Sequence, residues 1–194
     1  MNLPNKISIS RIVMVPIIMA LYLISAIPYG KLMAFFIFII ASVTDFLDGY
    51  LARKNNQVTD TGKFLDPIAD KLLVMAGILV IIVDAILPLY VYIIVCAMIF
   101  ARDYLVNSLR QVASAKGVVI PADKSGKIKT VLLDIALCGM MLLGANQQAG
   151  WVTGTAVDVF SYVVYAISIG ALFMLIYSTI DYFYKNRNIL KGEK

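Results

Sequence analysis

The amino-acid sequence predicts an all-α, polytopic membrane protein with six transmembrane helices and both termini in the cytoplasm. Three observations lead there. Of the 194 residues 61% are hydrophobic, and the mean hydropathy is +0.86, well above the roughly 45–50% apolar content of a soluble domain. Six apolar stretches follow one another, most of them near the ~20 residues that a helix needs to cross about 30 Å of hydrocarbon. The 17 Lys and Arg residues gather in alternate connections, the asymmetry that sets orientation in a bilayer. The length suits one domain, residues 1–194.

The first span is expected over 12–27, preceded by Lys6 and Arg11. It has no cleavage site of the A-x-A type and comparable spans follow it, so it reads as an anchor rather than a secretory leader. The second span, 31–51, runs into a charged segment. The third and fourth, 67–87 and 88–109, meet with almost no polar residue between them. Together they are far too long for one crossing, and Pro88 marks the split. The fifth covers 126–146 and the sixth 154–183, ending at Tyr182, Phe183 and Tyr184, which read as an interfacial aromatic belt. Beyond the N-terminus, basic residues fall between spans two and three (Arg53, Lys54, Lys63) and between four and five (Lys116, Lys124, Lys127, Lys129). Others sit at the C-terminus (Lys185, Arg187, Lys191, Lys194), and the remaining connections hold only Lys31. Positive residues stay inside, which needs an even number of spans and fits six.

Composition also excludes chemistries. The chain has no histidine, so His triads, His metal ligands and His bases are absent. Cys96 and Cys138 stand alone in apolar runs and read as small packing residues. Every acidic residue but Glu193 is an aspartate. A catalytic base here is therefore an aspartate, and a bound metal is held by oxygen. The net charge of +5 reads as topology plus attraction to anionic headgroups rather than as nucleic-acid binding.

Four aspartates stand where a membrane protein should least want them, at the ends of the second and third spans: Asp45, Asp48, Asp66 and Asp70. Asp45 and Asp48, three apart, share a helix face, and Gly49 and Ala52 continue that stripe within about 40° of Asp45. Small residues there let a ligand or backbone approach closely. Gly62 reads as a break before the next helix, with Pro67 in its first turn. Asp66 and Asp70, four apart, again share a face. A short polar connection joins the two pairs at one membrane surface. Four neighbouring carboxylates repel one another, and divalent cations relieve that. Oxygen-only ligation suits Mg²⁺ or Mn²⁺, and four carboxylates suffice for two ions about 3.5–4 Å apart. Hard ions of this kind handle phosphates and diphosphates. Solvated interface charges or an ion pathway are the plainer readings of single aspartates. The ordered pattern D-x2-D-G-x2-A-R-x8-G-x3-D-x3-D weighs against both.

That pattern, carried by Asp45, Asp48, Gly49, Ala52, Arg53, Gly62, Asp66 and Asp70, matches without gap or substitution the signature of the CDP-alcohol phosphatidyltransferases. The resemblance implies a six-helix membrane enzyme, generally a homodimer, that transfers a phosphatidyl or similar group from a CDP-linked donor to an alcohol and releases CMP. By resemblance, Asp45, Asp48 and Asp66 are metal ligands, while Asp70 serves the second metal and is the general base. Asp48, Gly49, Ala52 and Arg53 line the CDP pocket, and Gly62 shapes the loop that closes it. NLPNKISISRIVMVP, RDYLVNSLRQVASAKG and SGKIKT are similar to the bacterial branch that joins CDP-diacylglycerol to sn-glycerol 3-phosphate at the plasma membrane. Ser8 stands where that branch often has Thr, and Asp103 where Glu is common.

A glycerol phosphate acceptor brings a dianion of its own, to be met by cations. Arg102 and Arg110, about 80° apart around a helix, are candidates with Lys127, Lys129 and Arg11. Lys116 and Lys124 read instead as headgroup contacts, and Asp84 as an ordinary loop carboxylate. Two rival functions remain. One keeps the family and changes the acceptor to inositol phosphate, serine or phosphatidylglycerol. The other is a cation or proton transporter, which would place its charges near the bilayer midplane on broken helices rather than beside Arg53, Lys54 and Lys63 at one surface.

Overall fold

The computed structural model describes the backbone of residues 3–54, 60–118, 120 and 124–187, and their side chains except those of 3–5, 45–54, 60, 61, 63 and 124. Among the described residues six α-helices follow in chain order: α1 (Leu3–Leu23), α2 (Gly30–Lys54), α3 (Asp60–Ile81), α4 (Leu89–Ala115), α5 (Lys124–Ala149) and α6 (Thr155–Lys185). A 3-10 turn, Ile82–Asp84, extends α3. No strand occurs among the described residues. Among the described residues four segments are long and apolar enough to cross a membrane: Lys6–Leu23, Leu89–Ala115, Ser125–Ala149 and Thr155–Lys185; Gly30–Thr44 of α2 is a shorter apolar helix. The split at Pro88 holds, since Pro88 is the N-cap of α4 with φ −57° and ψ 140°. Most helices overrun the apolar runs that announced them. Hydropathy marks only the part suited to hydrocarbon, while the i→i−4 hydrogen-bond ladder continues through polar flanks.

Two expectations fail on α3. Gly62 is not a break, and Pro67 is not in the first turn. The helix begins at Asp60, so Gly62 falls in that turn and Pro67 well inside. Asp60 and Thr61 are residue types that favour a helix N-terminus. A glycine inside a helix costs only about 1 kcal/mol, and Pro67 removes one bond, to the Lys63 carbonyl. The loop role that resemblance gave Gly62 becomes a helical one, on a buried residue.

The chain forms two compact units, Met1–Leu87 with Leu137–Val159, and Pro88–Ala136 with Phe160–Lys194. In the first, α1 lies against both α2 and α3. Ala34 and Ala41 on α2, and Ala69 and Ala76 on α3, are buried; small residues of this kind let helix backbones approach. Gly77 takes this furthest. A Cβ there would stand 3.0 Å from the Phe38 ring and 3.1 Å from a Leu137 methyl group.

The same unit corrects the reading of Asp84. Its side chain is fully buried (0% exposed) and paired with Lys31, and it accepts a hydrogen bond from the Tyr22 hydroxyl. The Lys31 ammonium also stands over the Tyr22 ring, 5.4 Å from its centroid. Gly144 packs against this cluster where a Cβ would run into Tyr22 and Asp84. Lys31, the one cation outside the topological pattern, thus has a carboxylate to neutralise it.

In the second unit Val106 and Leu109 of α4 pack with Tyr182 of α6, and Ile120 and Phe183 lie against them. At the end of α4, Gly117 takes φ +74°. The Gly117 N–H then reaches the Ser114 carbonyl at 2.9 Å, and the Val118 N–H the Ala113 carbonyl at 2.9 Å. This is a Schellman stop, which needs the left-handed conformation that glycine adopts most readily.

Candidate functional site

The aspartate motif lies in the first unit. Asp45, Asp48, Gly49, Ala52 and Arg53 occupy the last turns of α2, whose backbone is helical through Lys54. Their side chains lie outside the described residues, so the shared face rests on helical spacing alone. Asp66 and Asp70 stand one turn apart on α3, Asp66 exposed and Asp70 half-buried. The Ser8 hydroxyl of α1 donates to Oδ1 of Asp66. Ser8 is itself fully buried (0% exposed), and Arg11, one turn further along α1, is 1% exposed. Contact of α1 with α3 therefore holds one Asp66 oxygen in place.

Among the described residues no three His, Cys, Asp or Glu side chains gather closely enough to hold a metal; the described part of the motif contributes two carboxylates. The donor set fits a hard divalent ion. It is oxygen-only, from a chain without histidine, with the Asp66 carboxylate oriented by a neighbouring hydroxyl.

The second unit contains a cavity of about 180 Å³ lined by Arg102 and Arg110 of α4, Ser125, Gly126, Lys127 and Thr130 of α5, and Ser178 and Tyr182 of α6. The two arginines expected to face one cavity both reach it, and Lys127 joins them. Ser125, Gly126 and Lys127 fall in the first turn of α5, where backbone N–H groups without helical partners favour an anion. Gly126 makes room for Arg102, whose Nη2 lies 3.1 Å from where a Cβ would stand. Arg102 Nη1 bonds Asp103 Oδ1 at 2.9 Å, and its buried Nε has no hydrogen-bond partner among the described residues.

Two other candidates stand elsewhere. Lys129 is buried and does not line the cavity; its Nζ lies 3.4 Å from Asp103 Oδ1. Asp103 thus links Lys129 to Arg102. Arg11 belongs to the unit that carries the aspartates.

Sequence reasoning missed Ser178 and Tyr182. Tyr182 was assigned to an aromatic belt, yet it is 3% exposed, while Tyr184 at 66% fits a belt. The Arg110 Nε–H donates to the Tyr182 hydroxyl at 2.9 Å, with the guanidinium 5.6 Å from the ring centroid. The only local signal was a serine and a tyrosine one turn apart near the end of an apolar helix. Three cations, several hydroxyls and a helix N-terminus around one small cavity suit a phosphate.

Comparison with known proteins covers nearly the whole chain. The family model for CDP-alcohol phosphatidyltransferases matches residues 1–170. A protein of Bacillus subtilis (strain 168) is 38% identical over 201 aligned positions, covering 98% of this chain and 97% of its own length. One from Rickettsia bellii (strain RML369-C) is 40% identical over 149, covering 75% and 77%. One from Haemophilus influenzae is 39% identical over 144, covering 72% and 75%. All three bear the name CDP-diacylglycerol–glycerol-3-phosphate 3-phosphatidyltransferase.

Proposed function

The chain belongs to the CDP-alcohol phosphatidyltransferase family, and on that premise we propose that it transfers the phosphatidyl group of CDP-diacylglycerol to sn-glycerol 3-phosphate, a phosphatidylglycerophosphate synthase activity. The observation that carries this is the 38% identity, over 98% of the chain, to a relative named for that reaction. A cavity with Arg102, Arg110 and Lys127 around it supports an acceptor that carries its own phosphate. Serine brings only a singly charged carboxylate, a weaker match for three cations than a phosphate dianion.

The roles follow from the chemistry. Asp45, Asp48, Asp66 and Asp70 would hold two divalent ions, Mg²⁺ or Mn²⁺. When bound, such a pair neutralises a diphosphate and the charge that develops on departing CMP. Ser8 keeps Asp66 oriented. Asp48, Gly49, Ala52 and Arg53 line the place of CDP, with Arg53 paired to the diphosphate and Gly62 in the adjoining first turn of α3. Arg102, Arg110 and Lys127 hold the acceptor phosphate, and Lys129 braces Arg102 through Asp103.

Asp70 takes the proton from the acceptor hydroxyl. The hydroxyl oxygen bonds to the phosphatidyl phosphorus as the bond from that phosphorus to CMP breaks, and CMP leaves with the electron pair. Six spans, both termini cytoplasmic, a reaction centre at the cytoplasmic face of a bacterial inner membrane, a homodimer, and residues 1–194 acting as one domain complete the reading.

The test is CMP release by detergent-purified protein given CDP-diacylglycerol and Mg²⁺, with one acceptor per reaction. Glycerol 3-phosphate, inositol phosphate, serine and phosphatidylglycerol are compared. Release with glycerol 3-phosphate alone, cut about 10²–10⁴-fold by Asp70→Asn, is the expected result. Release with a different acceptor would keep the family chemistry and overturn the acceptor.

A further inference from the structure

Arg110 is exposed on α4, and a free arginine there would sample many rotamers and lose that freedom on gripping an anion. The structure removes most of this freedom in advance. Tyr182 is 3% exposed, with its ring fixed against Val106 and Leu109. Its hydroxyl takes the Arg110 Nε–H at 2.9 Å, and its ring faces the guanidinium at 5.6 Å. With Nε–H committed to the tyrosine, the donors left to a ligand are those on the two terminal nitrogens, the pair that grips two oxygens of a phosphate at once.

We propose that Tyr182 is the positioning residue of the anion cavity: it pre-orients Arg110 for the phosphate of a phosphomonoester acceptor. The assignment rests on the acceptor reading of the cavity above. It adds that recognition depends on a residue of α6, remote in sequence from the α4 and α5 motifs. A guanidinium held at both its Nε and its face has less to lose on binding, so affinity for phosphate rises without any new contact to the ligand.

The test is a double-mutant cycle on purified full-length protein without CDP-diacylglycerol. Calorimetry measures the binding of glycerol 3-phosphate, and of inorganic phosphate, to the wild type and three variants: Tyr182→Phe, Arg110→Ala and both together. Phenylalanine keeps the ring in its apolar seat and removes only the hydroxyl. We expect Tyr182→Phe to weaken both ligands at least tenfold, and to have no further effect once Arg110 is alanine. In turnover, the same change raises KM for glycerol 3-phosphate by a similar factor and leaves kcat and KM for CDP-diacylglycerol within about twofold.

Unchanged binding in Tyr182→Phe overturns the assignment. So do additive losses in the double variant, and so does a wild type that binds neither phosphate nor glycerol 3-phosphate. A wild type that binds both normally and obeys the cycle, yet releases no CMP with glycerol 3-phosphate, supports the assignment and refutes the proposed reaction alone.

Discussion

A carboxylate at the edge of a bilayer needs a partner, and the aspartates of this chain divide by what partners them. Asp84 has a lysine and a tyrosine. Lys31→Met leaves that buried carboxylate uncompensated and should cost about 3–5 kcal/mol, read as a fall in thermal stability in detergent. Adding Asp84→Asn should restore most of the loss, and failure to do so would show that the pair is not the cause. Asp66 has Ser8. Ser8→Ala should weaken Mn²⁺ binding, followed by electron paramagnetic resonance, by about tenfold or more, and Ser8→Thr should keep it. Asp70→Asn, as loss of a general base, should lower CMP release by about 10²–10⁴-fold with helix content unchanged by circular dichroism. The aspartates themselves were legible, because their spacing is local and specified. Their partners were not: Ser8–Asp66, Lys31–Asp84 and Arg110–Tyr182 join positions 58, 53 and 72 residues apart, and no helical periodicity reports a pairing at that range.

Helices in this protein are told apart by what their glycines face. Gly77 of α3 is pressed between Phe38 and Leu137, whereas nothing lies within 4 Å of a Cβ at Gly170 of α6. Gly77→Val should destabilise by about 1–3 kcal/mol through overpacking. Gly170→Ala should gain up to about 1 kcal/mol from helix propensity. Melting curves of the two variants therefore move in opposite directions, and movement in the same direction would contradict the packing described. The apolar runs disclosed the helices among the described residues, and Pro88 the start of α4, because hydrophobicity and a missing N–H act locally. The start of α3 was misread because Gly62 and Pro67 discourage a helix in isolation. Contact with α1 and a favourable N-terminal sequence outweigh them.

For the whole molecule, the placement of basic residues makes the orientation testable in intact cells. In a Cys96→Ala, Cys138→Ala background, Trp151→Cys should react with an impermeant thiol reagent from outside. Arg187→Cys should react only after the membrane is opened, and the reverse pattern would invert the topology. Within the first unit, α3 is fastened to α1 near both ends, by Ser8 at Asp66 and by Tyr22 at Asp84, points about 27 Å apart along the helix. Mechanically, it is a beam clamped at both supports. Axial sliding by a single turn would break both clamps at once, so α1 and α3 shift as one piece or not at all. The carboxylate of Asp66 thereby keeps its register against Ser8.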